Sequence, residues 1–166
     1  PKVVSTLGGA GVPNYLDGAM SLSVSGNYAY VVSAYDDAFN IIDISNPSKP
    51  RRVGGLVGAG APNYLDFLFG VYIQGNYAYV VSQGTDDALV VIDISNPTRP
   101  RRVGALTRVM DTPNDIYVSG KYAYIAEYGS DTLRAVDISD PTTPKSVGSI
   151  SGAGSPNYLN ALVSIT

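Results

Sequence analysis

An all-β fold made of repeated four-stranded antiparallel units is predicted by three observations. One phrase is written three times: GNYAYVVSAYDDAFNIIDISNPSKPRRVG at 26–54, GNYAYVVSQGTDDALVVIDISNPTRPRRVG at 75–104 and GKYAYIAEYGSDTLRAVDISDPTTPKSVG at 120–148. Gly26 to Gly75 is 49 residues and Gly75 to Gly120 is 45, the length of one blade of a β-propeller. No segment carries a 3.6-residue apolar period, so essentially no helix is expected.

Within a unit, each strand has its own signal. Residues 1–8 align with the end of the repeat, PKVVSTLGGAG against PRRVGGLVGAG at 50–60, and predict an extra outer strand at the N-terminus. Met20 to Val24 alternates apolar and polar residues, as an inner strand with two different faces does. Gly26-Asn27 marks a tight turn. Tyr28 to Val32, aromatic and β-branched, is the second strand. Asp36-Asp37 makes the next turn, and Phe39 to Ile44 is an almost wholly apolar strand covered on both faces. Asn46-Pro47 stops it, because proline cannot donate to a ladder. Val53 to Val57 is the outer strand. The pattern places complete blades at 18–58, 67–108 and 114–151 of one partial propeller domain, 1–166. NALVSIT at 160–166 reads as an extra inner strand of a fourth blade.

These residues resemble the LVIVD-repeat family of β-propeller proteins. Leu89-Val90-Val91-Ile92-Asp93 nearly spells the name, with degenerate copies at Phe39 to Asp43 and Leu133 to Asp137. GNYAYV and D-x-S-N-P-x-x-P-x-x-VG extend the likeness over nearly the whole chain. The resemblance implies propeller blades and a surface or secreted setting. It implies no particular ligand, since fold does not fix function.

Composition removes many functions. With no His and no Cys, the chain holds no Ser-His-Asp or Cys-His nucleophile and no ordinary zinc site. A Walker loop and a GxGxxG fingerprint are both missing. A net charge of −3 with 15% charged residues argues against nucleic acid, and no apolar run is long enough to span a membrane. Carboxylate-pair chemistry survives these exclusions. Thirteen Tyr and one Glu suit an extracellular or cell-surface protein.

Closed propellers have 4 to 8 blades. Three leave two faces bare, each ~400 Å² of apolar surface and roughly 10 kcal/mol of unrealised burial at ~25 cal/mol per Å². Self-association, or another chain completing the ring, is therefore expected.

The loop chemistry sorts by rim. Acidic residues crowd the rim shared by the loops between blades and those between second and third strands. Lys49, Arg51, Arg52, Arg99, Arg101, Arg102 and Lys145 cluster by the other. GAG-x-PNYL recurs at 9–16, 58–65 and 152–159, so Asn14, Tyr15, Asp17, Asn63, Tyr64 and Asp66 are candidates to hold a glycan or protein ligand by stacking and hydrogen bonds. Packing of this loop on the neighbouring blade is the competing reading. Asp36, Asp37, Asp86 and Asp87 are weak calcium candidates, since calcium takes several oxygens, against a plain turn role. Asp43, Asp93 and Asp137, identical in place, are expected to hold the turn that follows them.

The third unit breaks the pattern: RVMDTPND at 108–115, with Asp111 and Asp115, replaces GAG-x-PNYL, and its next loop carries Glu127-Tyr128 where the others have Ser33 and Ser82 at the Glu position. This is the place for an asymmetric function, or for repeat decay. The sequence reading is a non-catalytic binding module with no cofactor. Its alternatives are a purely structural element and, lower, a glycan hydrolase using Asp111, Asp115 and Glu127.

Overall fold

The computed structural model describes residues 2–157, 159 and 163–165. Twelve strands form three separate four-stranded antiparallel sheets, and the described residues contain no helix. Blade one comprises β1 (Ala19–Ser25), β2 (Tyr28–Ser33), β3 (Ala38–Asp43) and β4 (Arg51–Val57). Blade two is β5 (Leu68–Gln74), β6 (Tyr77–Ser82), β7 (Ala88–Asp93) and β8 (Arg101–Leu106). Blade three is β9 (Pro113–Ser119), β10 (Tyr122–Glu127), β11 (Thr132–Asp137) and β12 (Lys145–Ser151). In each sheet the strands lie in chain order, the meander expected of a blade.

The blades stack face to face. Tyr30, Val32, Phe39 and Ile41 of blade one pack against Leu68, Val71, Val80 and Val90 of blade two. Tyr79, Val81, Leu89 and Val91 on the other face of blade two pack against Ile116, Val118, Ile125 and Val136 of blade three. β7 is thus buried from Ala88 to Ile92, which explains its unbroken apolar run.

Two irregularities recur in every blade. The inner strand carries a bulge where it meets the second, skipping Met20, Phe69 and Asn114 in turn. The outer strand slips between Ile41 and Ile42, Val91 and Ile92, and Ala135 and Val136. The first bulge re-aims one side chain per blade beside the rim where the loops between blades lie.

The turn after the third strand is built as expected. Asp43, Asp93 and Asp137 each accept the N–H of the serine two residues on, at 3.0, 2.9 and 2.9 Å. Arg51 and Arg101 then pair with Asp43 and Asp93 at 2.9 and 2.8 Å.

The ends depart from expectation. Residues 2–8 form no strand. An outer strand bonds only to the third strand of its own blade, and the described residues offer none to this segment. It lies instead along blade one, where Ser5 donates to the carbonyl of Pro47. Of the expected C-terminal inner strand, residues 160–162 and 166 lie outside the described residues. Residues 163–165 rest against β9 without joining a sheet: Asn114 donates to Val163 O at 2.7 Å, and Ile165 N–H donates to Asp115 at 2.9 Å.

Candidate functional site: the rim between the blades

The GAG-x-PNYL loops are self-closing turns. Asn14 Nδ2 donates to Gly8 O at 2.6 Å, Asn63 to Val57 O at 3.0 Å and Asn157 to Ser151 O at 2.5 Å, one bond in three copies. Tyr15 and Tyr64 sit at φ 51° and 58°, and their N–H groups close on Gly11 O and Gly60 O at 2.6 Å. Their carbonyls accept from Asn40 at 2.7 Å and Ser82 at 2.9 Å. The rings are engaged too, since the guanidiniums of Arg52 and Arg102 lie 4.9 and 5.5 Å from their centroids. Asn14, Asn63, Tyr15 and Tyr64 therefore hold the loop to its blade, and the competing packing reading describes them.

The same contacts move two basic residues. Arg52 and Arg102 were grouped by sequence with the opposite rim. Side chains alternate along a strand, so Arg51 turns out to Asp43 while Arg52 turns in, its Nε donating to Asn40 at 2.7 Å.

The acidic residues of the rim are largely occupied by main-chain donors. Asp36 accepts from Gly11 N at 2.9 Å and Asp17 N at 2.8 Å, and Asp86 accepts from Gly60 N at 3.1 Å. Asp37 and Asp87, at φ 47° and 39°, accept from Phe67 N and Thr112 N, the first residues of the next blade's entry, at 2.9 and 3.1 Å. Asp66 accepts both the N–H and hydroxyl of Thr85 at 2.9 Å. These carboxylates pin loops to loops. Among the described residues no three acidic groups converge as a cation would need, and the four calcium candidates face N–H donors. Asp17 is exposed.

Blade three replaces this arrangement. Val109 stands at the tyrosine position of the loop and Ser146 at the arginine position of the outer strand, paired with Val136 as Arg52 is with Ile42. The guanidinium comes instead from Arg134 on β11, and Glu127 meets it where blades one and two have Ser33 and Ser82. Arg134 Nε and Nη2 both donate to Glu127, which also accepts Asp111 N–H at 3.2 Å and the Ser130 hydroxyl at 3.1 Å. The Glu127 side chain is 1% exposed. Asp111 is exposed, its carboxylate accepting from the Thr112 hydroxyl at 3.1 Å, and Tyr128 is 51% exposed. Asp115 receives the Ser164 hydroxyl and Ile165 N–H. The third-blade residues thus share a neighbourhood, but Glu127 faces inward to Arg134, away from Tyr128 and solvent.

Crowding of carboxylates has an electrostatic consequence. Burial raises the Asp87 carboxyl above its ordinary value, the Thr112 N–H opposes this, and Asp111, Glu127 and Asp86 add to the rise. At the other rim, the Ser95 hydroxyl and N–H, with Arg101, hold Asp93 down to about 2.

A second feature of the acidic rim was not singled out from the sequence. Tyr35, Phe67 and Phe69 form a row, with ring centroids 5.7 Å apart for the first pair and 5.5 Å for the second. Tyr35 is 66% exposed and both phenylalanines are half-buried. Phe67 has φ 55°, an uncommon backbone for an aromatic residue, at the position of Gly18 and Thr112. Phe69 is the bulge residue of β5, so the bulge turns it out of the sheet. Gly18 makes room, since a Cβ there would strike the Tyr35 ring. The adjoining bulge residue, Asn114, accepts from Gln83 Nε2 at 3.1 Å. The available signal was the departure of DFLFG at 66–70 from DGAMS at 17–21, two aromatics replacing a glycine and a methionine.

Three stacked four-stranded meanders with a shared loop rim define the chain as a β-propeller protein. The LVIVD repeat model matches residues 18–56, 70–107 and 112–151, and the chain belongs to that family. No curated protein matches it. Among solved structures it is similar to a protein from Lactobacillus plantarum, with TM-score 0.71 and 14% identity over 83% of this chain and 43% of that one. It is similar also to the periplasmic gluconolactonase PpgL of Pseudomonas aeruginosa, with TM-score 0.68 and 19% identity over 81% and 40%. Myxococcus xanthus glutaminyl cyclase gives TM-score 0.55 and 17% identity over 81% and 53%. At these identities the likeness is one of fold, and the chain spans about half the length of these proteins or less.

Proposed function

We propose that the chain is a non-catalytic binding module of an extracellular or cell-surface protein. Its ligand surface is the acidic rim between blades one and two, and its ligand class is a glycan. The observation that carries this reading is the row Tyr35–Phe67–Phe69, with Tyr35 exposed and both phenylalanines half-buried. A row of rings at this spacing offers the flat apolar surface on which the C–H faces of successive sugar rings stack. Asp17 and Asp66 on the flanking loops and the Gln83–Asn114 pair supply acceptors and donors for hydroxyl groups. Phe69 is mounted on the bulge of β5 and left-handed Phe67 is fixed by its N–H bond to Asp37, which limits the ordering cost of binding.

Glu127 argues against the hydrolase alternative. A general acid must reach the glycosidic oxygen, and this carboxylate is buried against Arg134.

Binding to an immobilised glycan panel tests the reading. Tyr35→Ala and Phe67→Gly, the latter copying Gly18, are expected to abolish a wild-type signal while leaving the unfolding midpoint within a few degrees. Glycan binding that survives both substitutions would remove this surface from consideration. A chain that binds no glycan but captures peptides through the same row would assign the rim to protein ligands. Silence on both panels would leave the structural role.

A further inference from the structure

We propose that blade three is docked by blade one of a second copy of this chain, the two copies closing a ring in which each junction repeats the contacts already present inside the chain. The argument begins from three equivalent glycines. Gly54, Gly104 and Gly148 pair with Ile41, Val91 and Ala135 at one point on the outer strand of each blade. A Cβ on Gly54 would land on the carbonyl oxygen of Pro97, in the turn of blade two. One on Gly104 would land on the carbonyl oxygen of Pro141, in the turn of blade three. At both junctions the next blade's Asn-Pro or Asp-Pro turn sits so close that only glycine fits. A Cβ on Gly148 would meet nothing within 4 Å. The glycine is present there, and no turn among the described residues sits against it.

The rest of the face agrees. Leu133 and Tyr124 of blade three line an open groove with Tyr117, Ala135 and Ile150. Their counterparts Phe39 and Leu89 are 0% exposed, and Tyr30 and Tyr79 5% and 3%, because a following blade covers them. On blade one the deficiency is the mirror image. Leu22 is 63% exposed, while Val71 and Ile116 in the same place on blades two and three are 7% and 3%. The leading face of blade one is the surface that the trailing face of blade three is shaped to receive.

Both faces carry provisional occupants from the chain's own ends. PKVVSTLGGAGVPNYL at 1–16 and PKSVGSISGAGSPNYL at 144–159 are two versions of one segment. Ser5, the counterpart of Gly148, holds the Pro47 carbonyl. Ile165, the counterpart of Leu22, lies in the groove of Tyr117, Tyr124 and Leu133. Residues 2–8 belong to no ladder, whereas β12 is bonded along its length to β11. In the closed ring, β12 of one copy therefore takes the seat of residues 2–8 of the other, and Gly148 replaces Ser5 against Pro47. Likewise β1 takes the seat of residues 163–165. Four faces of ~400 Å² give a total of ~1,600 Å², the size of a specific stable interface.

Light scattering over a concentration series reads the outcome. The wild-type chain is expected to approach twice its monomer mass. Gly148→Val, which fills the seat of the turn, should weaken association by about tenfold or more while the urea midpoint of the monomer stays unchanged. Ser5→Ala releases the occupant and should tighten association severalfold. A wild-type monomer at every concentration overturns the proposal. So does an association indifferent to Gly148→Val, or a mass that climbs past two chains without closing.

Discussion

Breaking the Glu127–Arg134 pair tests what the third blade's departure from the repeat is for. Both groups are largely out of water, with side chains 1% and 17% exposed. Arg134→Val leaves the Glu127 carboxylate with only the Asp111 N–H and the Ser130 hydroxyl. An uncompensated buried charge of this kind costs about 3–5 kcal/mol. Glu127→Ser is milder, because Arg134 keeps its contact to Ser146 at 3.1 Å and can extend to solvent; about 1–3 kcal/mol is expected. The double variant rebuilds blade two, where Ser82 and Val90 occupy these positions at 0% exposure. It should fall within about 1 kcal/mol of wild type, a coupling of about 3 kcal/mol or more between the sites. Urea unfolding followed by tyrosine fluorescence measures all four proteins, with equal slopes required before midpoints are compared. Two single variants each losing under about 0.5 kcal/mol, with an additive double, would show that the pair is solvated. The structural account of Glu127 would then be wrong.

Gly104→Ala should lose about 2–3 kcal/mol, because its methyl group meets the Pro141 carbonyl, and the same urea assay on Gly148→Ala, run dilute enough to keep the chain monomeric, should show no loss. Asp87→Asn should stabilise the chain at neutral pH, since the folded carboxyl is raised above its unfolded value and its ionised form is penalised. That penalty is fully present above the folded value and vanishes as pH falls below the unfolded one, so the Asn advantage should shrink in acid; a constant advantage from pH 7 to 3 would refute it. Asp93→Ala should cost about 1–2 kcal/mol near neutrality. The carboxyl is lowered from 3.8 to about 2, so its contribution stands above 3.8, decays as pH falls towards 2 and should leave the two proteins converging there in acid melts.

The period, the turns and the strand order were legible because each is a local property. Gly26-Asn27 forms its turn whatever surrounds it, and Asp43 finds Ser45 two residues away. β7 announced its burial by an unbroken apolar run. Residues 2–8 carried the outer-strand pattern equally well and still made no strand, since pairing depends on a partner distant in sequence.

The site divided along the same line. The sequence by itself determined which residue types each loop holds, and so excluded histidine and cysteine chemistry and gave the rim its acids and tyrosines. Only the tertiary structure decided which were available. Tyr15 and Tyr64 lie under Arg52 and Arg102, from outer strands 37 and 38 residues further along, a separation that no local pattern encodes. Glu127 lost its freedom to Arg134 across a hairpin, and Tyr35 joined Phe67 across two blades. Loop chemistry is written residue by residue, but exposure is a property of the packed surface, settled by which blade lies alongside.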